Sequence, residues 1–62
     1  MEKIEYVFKI RHDMDIIPEY VVGCTIDDAV EKLAKYWREK QDKWSFSEDN
    51  IISIERISKV IK

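Results

Sequence analysis

The amino-acid sequence predicts a small α+β domain of ββαβ order, a three-stranded antiparallel sheet with strand order 2-1-3 and one helix packed on one face. Three patterns predict it. Residues Lys3 to Arg11 alternate with the period of a half-buried strand. Residues Ile26 to Trp37 repeat their apolar positions at three and four, as an amphipathic helix does. The chain closes on an isoleucine-rich stretch, Ile51 to Lys62, whose β-branched composition suits a third strand.

In the first strand Ile4, Tyr6, Phe8 and Ile10 point one way, and Lys3, Glu5, Lys9 and Arg11 point the other with Val7 among them. The stretch His12-Asp13-Met14-Asp15 breaks the alternation and reads as a turn. Ile16 to Thr25 is the next extended run. Pro18 cannot donate to a ladder, so this second strand is expected to start near Glu19 and to lie at a sheet edge. Tyr20, Val22 and Cys24 share one face, assigned inward; Glu19, Val21 and Gly23 are assigned outward.

Thr25 has the chemistry of a helix N-cap, its hydroxyl able to accept the Asp28 backbone N–H. Asp28 stands where a capping box usually carries Glu or Gln. Ile26, Ala29, Val30, Leu33, Ala34 and Trp37 form one apolar stripe, and the helix is expected to reach about Asp42. Asp28–Lys32, Glu31–Lys35 and Arg38–Asp42 are opposite charges one turn apart, worth a few tenths of a kcal/mol each. Gln41 to Asn50 reads as a loop around Trp44 and Phe46, with a helical turn begun by Ser47. In the last element Ile52 and Ile54 keep one phase while Ile57 and Ile61 fall in the other. Either a bulge near Glu55–Arg56 restores a common face, or the strand stops at Arg56.

Connection rules assemble these pieces. The first two strands form a hairpin, and a right-handed crossover lays the helix on the face of Ile4, Tyr6, Phe8 and Ile10. The long first strand belongs in the centre. The 62 residues are expected to form one domain, burying only about 60% of the surface the unfolded chain exposes. Domains this small often add a disulfide, a metal or a second subunit. Cys24 is the single cysteine, so an internal disulfide is excluded and a reducing, cytoplasmic setting is expected. The start Met-Glu-Lys-Ile-Glu lacks a charged-then-apolar leader, and no apolar run approaches a membrane span.

The charge of −2 conceals an asymmetry. From His12 to Glu31 stand Asp13, Asp15, Glu19, Asp27, Asp28 and Glu31 without a Lys or Arg, whereas bases outnumber acids from Lys32 onward. Part of this suits the helix dipole.

Catalytic chemistry finds little to work with, and no enzyme activity or cofactor is expected. His12 with Asp13, Asp15 and Glu19 is the one cluster of metal-ligand types, but Asp-Met-Asp lacks the turn glycine and distant Glu of a calcium loop. No metal site is therefore expected. A Cys24–His12 nucleophilic pair needs both near a third, orienting group. A thiol before a helix N-terminus can ionise more easily, yet a small buried hydrophobe is the simpler reading of Cys24. Gly23 is the only glycine, so no phosphate loop exists. Lys3, Lys9 and Arg11 with Arg56 or Lys59 form a candidate phosphate track on the outward sheet face, interrupted by Glu5 and Glu55.

The strand ending at a Thr cap, Tyr20-Val-Val-Gly-Cys-Thr-Ile-Asp-Asp-Ala-Val-Glu-Lys-Leu33, then Tyr36 and Ile51-Ile-Ser-Ile-Glu-Arg-Ile57, resembles the arrangement of DpnD/PcfM-like proteins and small phage proteins. It covers about two thirds of the chain, and Trp44-Ser-Phe46 and the long last strand depart from it. The resemblance implies a ββαβ fold and a bacterial or phage origin, and carries over no functional residue.

A binding role remains. Trp44 and Phe46 either fold back as a lid on the core, the preferred reading, or anchor a partner together with Tyr36. Asp13, Asp15, Asp27 and Asp28 are candidate contacts for a protein partner. The last strand, at Ile52, Ile54 and Arg56, is the candidate edge for a homodimer. The expected function is a non-catalytic protein-interaction module, a phage or mobile-element regulator acting as a homodimer. The alternative is a nucleic-acid-associated module using the basic sheet face.

Overall fold

Alternation puts the first strand at the centre, and there it lies. In the computed structural model, which describes residues 4–60, β1 (Tyr6–His12) runs between β2 (Glu19–Gly23) and β3 (Ile51–Lys59), antiparallel to both. The helix α1 (Ile26–Glu39) covers one face of this sheet, and a short 3-10 turn, η1 (Glu48–Asn50), leads into β3. Lys3, Ile61 and Lys62, read above as strand residues, lie outside the described residues.

Phe8 and Ile10 pack against Ala29, Leu33, Ala34 and Trp37 of α1, and Phe46 from the loop completes the core. Tyr6 is half-buried at the rim of this core and Ile4 is exposed beyond it. Thr25 caps α1 as its chemistry predicts, its hydroxyl accepting the Asp28 N–H at 3.1 Å. The Asp28 carboxylate accepts the Cys24 N–H at 2.9 Å, one residue ahead of the N-cap N–H that a capping box uses. Lys32 sits 3.4 Å from Asp28, the expected pair one turn along. Ile26, placed in the stripe, is instead exposed ahead of the sheet-covering turns.

The helix stops at Glu39, short of Asp42. Lys40 caps it by donating its N–H to the Tyr36 carbonyl, and Asp42 takes a left-handed φ of 57° that no helix continues through. Arg38 therefore cannot pair with Asp42 along the helix. It donates from Nε to the Phe46 carbonyl at 2.7 Å, which ties the returning loop to the last turn. Ser47 begins a helical turn as read, closing a capping box with Asn50.

Two phases differ from the sequence reading. In β2, Val21 pairs with Phe8 and faces the helix, while Tyr20 and Val22 pair with Lys9 and Val7 on the open face. The cause is steric. A Cβ on Gly23 would stand 3.0 Å from the Ala29 backbone nitrogen and 3.0 Å from the Asp28 carboxylate, so only the phase that turns Gly23 inward lets α1 start this close. In β3, register shifts leave Ile57 unpaired between Arg56 and Ser58, and Ile52 between Ile51 and Ser53. The first bulge falls one residue past the expected place, and the second has no counterpart in the alternation. Together they turn Ile51 and Ile54 toward the core and leave Ile52 and Ile57 outside.

Candidate interaction surface

The loop after α1 separates its two aromatics. Lys43 donates its N–H to the Trp37 carbonyl and Phe46 donates its own to Lys43, so the chain folds back under the helix end. Phe46 is thereby driven to 0% exposure, its ring parallel to Trp37 at 5.9 Å and edge-on to His12 at 5.5 Å. Phe46 is a lid with no surface to offer, and it leaves the set of partner contacts. Trp44 goes the other way. It is 68% exposed, and its indole N–H donates to the Asp42 carboxylate at 2.8 Å. The left-handed Asp42 and this bond fix the ring's direction in solvent; Asp tolerates that backbone better than most residues. Tyr36 is also exposed, its hydroxyl accepting from the Gln41 amide at 2.9 Å.

His12 is not in the turn. It is the last residue of β1 and is buried, ringed by Trp37 edge-on at 5.1 Å and by Phe46. Its Nδ1 accepts the Met14 N–H at 3.2 Å, which leaves the ring proton on Nε2, 3.8 Å from a Glu19 carboxylate oxygen and too long for a hydrogen bond. Neither His12 Nε2 nor Trp37 Nε1 has a hydrogen-bond partner among the described residues. The parity of Ile4, Tyr6, Phe8 and Ile10 continues through His12, and that signal could have placed it in the core.

The acidic candidates do not converge. Asp13 and Asp15 follow the His12 end of β1, whereas Asp27 and Asp28 lie beyond Gly23, which pairs with Tyr6 at the opposite end. A seven-residue strand separates the two pairs, a span of about 20 Å. Most are also engaged locally. Asp13 accepts from the Asn50 amide at 2.9 Å, Asp15 accepts the Ile17 N–H at 3.2 Å, and Asp28 serves the helix start. The same separation keeps Cys24 from His12, so no nucleophile–base pair forms between them. Among the described residues no three His, Cys, Asp or Glu side chains group as metal ligands.

The phosphate track is divided as well. Arg56 pairs with Phe8, so it lies on the helix side, where its guanidinium sits 4.7 Å from the Tyr6 ring centroid. Lys59, opposite Tyr6, shares that side. The open face keeps Lys9 and Arg11, with Glu55 directly across from Lys9 and Ser53 across from Arg11.

Of the dimer-edge residues, Ile54 is half-buried opposite Ile10, while Ile52 is exposed. Sequence reasoning missed Tyr20 and Val22 as surface residues because it inverted β2; Gly23, just before the helix cap, was the signal for the correct phase. It also passed over Ile16 and Ile17, which stand exposed in the turn before β2.

Comparison with known proteins gives no family model, no curated protein and no solved structure that matches this chain. No helix among the described residues is long and apolar enough to cross a membrane. The geometry of the described residues is what defines the class: a small α+β domain with, among those residues, one uncovered sheet face and two unpaired edges.

Proposed function

We propose that this chain is a protein-interaction module that acts by binding rather than catalysis, with a regulator of phage or mobile-element type as its concrete form. Trp44 carries the reading. A tryptophan costs most when left in water and gains most in a partner's pocket, and Trp and Tyr recur as the anchors of protein interfaces. Here the indole is held in the open by Asp42, so little side-chain freedom remains to be lost on binding. Tyr36 adds a second half-exposed aromatic ring on α1.

A second copy is proposed to dock along β3. Its bulges push Ile52 and Ile57 outward, and their contact area, with Arg56 at the margin, supplies the apolar centre. Cytoplasmic residence agrees with the single, unpaired Cys24.

Light scattering across a concentration series tests the self-association. The native chain is expected at a stable mass of about twice 7.5 kDa, and Ile52→Lys, which alters no core contact, at the mass of one chain. A native monomer at every concentration removes the dimer. Affinity capture from bacterial lysate, read by mass spectrometry, tests the anchor: a protein held by the native chain is expected to be lost with Trp44→Ala. Identical capture by both chains removes Trp44 from the interface.

A further inference from the structure

The two sheet edges are not equally open. β3 is interrupted by its bulges at Ile52 and Ile57, and bulges blunt an edge against further pairing. β2 pairs with β1 over five residues without a shift, and no strand among the described residues pairs on its other side. Its outward backbone is identified by Lys32, whose ammonium donates to the Val22 carbonyl at 2.9 Å. In an antiparallel strand alternate residues direct N–H and C=O to the same side, so Tyr20 presents its pair outward with Val22. A single flexible lysine covers one of these groups, and it has Asp28 as a second partner at 3.4 Å.

Side chains on either side of this edge set what could lie along it. On the open face Tyr20 and Val22 are exposed, an aromatic and a β-branched surface suited to cross-strand apolar contact. On the helix side a groove runs between Glu19, Val21, Leu33, Lys32 and Tyr36. It continues along α1 past Lys35 and Lys40, with Glu39 among them. The helix-side rim thus carries Lys32, Lys35 and Lys40 against Glu19 and Glu39, a small excess of base. We infer that the β2 edge takes up an extended segment of a partner protein as a fourth strand, apolar residues of that segment meeting Tyr20 and Val22 and alternate acidic residues meeting Lys32, Lys35 and Lys40. The inference rests on the protein-binding reading and names the chemistry of the partner. A second copy fits this edge less well: two-fold pairing of β2 would set the lysines of one helix beside those of the other.

Selection of random dodecapeptides displayed on phage against the immobilised full chain tests it, with amide exchange followed by NMR on the best binder. Enriched peptides are expected to alternate Asp or Glu with Val, Ile, Phe or Tyr, and to slow exchange at Tyr20 and Val22. The double variant Lys35→Glu/Lys40→Glu is expected to weaken them about tenfold or more. Tyr20→Pro, which removes an outward N–H and no bond to β1, is expected to abolish binding, with Tyr20→Phe binding as the native chain does. If Tyr20→Pro does not fold, the exposed lysine pair still decides the matter. Enriched peptides without acidic bias, or ones unaffected by the lysine variant, overturn the inference and leave the protein-binding reading standing. Absence of any enriched peptide alongside a Trp44-dependent capture does the same. Loss of both the peptides and the Trp44-dependent capture overturns both.

Discussion

Truncating Phe46 to alanine measures whether the loop is part of the core. The side chain is fully buried and stacks on Trp37, so the substitution removes its transfer free energy and leaves a cavity. Phe→Ala in such a site costs about 3–5 kcal/mol, and the lost parallel ring contact lies within that figure. The lower end applies here. The cavity wall would hold the unpartnered N–H groups of His12 and Trp37, and water entering a polar cavity recovers part of the loss. A domain of 62 residues has a total stability of about 3–9 kcal/mol, so a loss near 3 kcal/mol takes a third of it or more. Urea unfolding followed by circular dichroism is the assay. With a slope of about 1 kcal/mol per molar, the midpoint should fall by about 3 M. Trp44→Ala, two residues away in the same loop, should shift it by less than about 0.5 kcal/mol because that ring lies in water. Equal losses at the two positions, or a Phe46→Ala loss below about 1 kcal/mol, would refute the division of the loop into lid and exposed anchor.

Two further substitutions test the junction between β2 and α1. Gly23→Ala would push a Cβ to 3.0 Å from backbone of the helix start, which cannot swing aside as a side-chain end can, and should cost about 1–3 kcal/mol by urea denaturation. Thr25→Ala removes the acceptor of the Asp28 N–H and should cost about 1 kcal/mol, with Thr25→Ser close to native by the same measurement.

How far the fold was legible depended on whether local letters or distant contacts fixed each element. β1 was legible because a central strand has one face under the helix, and Phe8 and Ile10 carry that demand in their own spacing. Thr25 and Ser47 were legible because a cap is a bond between near neighbours. β2 was not, because Tyr20-Val21-Val22 is apolar in both phases and the choice was made by how closely α1 approaches Gly23. β3 was legible as a strand but not in phase, since two bulges reset the alternation at Ile52 and Ile57. Trp44 and Phe46 are both aromatic and stand in one loop, and only the bonds of the Lys43 N–H to Trp37 and of Arg38 to the Phe46 carbonyl at the helix end tell them apart. The acidic candidates were adjacent in the sequence's charge pattern and distant in space, because a hairpin sends its turn and its ends to opposite poles.

The thin core and the unfilled surface have one cause. A single helix can cover only one face of a three-stranded sheet, so Tyr20, Val22, Ile52 and Ile57 have no layer to pack on among the described residues. A monomer must then leave large apolar side chains in water, at a size where burial barely exceeds the cost of ordering the chain. Any partner that covers this surface adds its binding free energy to the folding equilibrium, about 2.7 kcal/mol at a hundredfold excess over its dissociation constant. That increment is comparable with what Phe46 contributes from inside. In a domain of this size an interface on these side chains would be as large a part of the stability as the loop that closes the core, so binding and folding would draw on the same few surface residues.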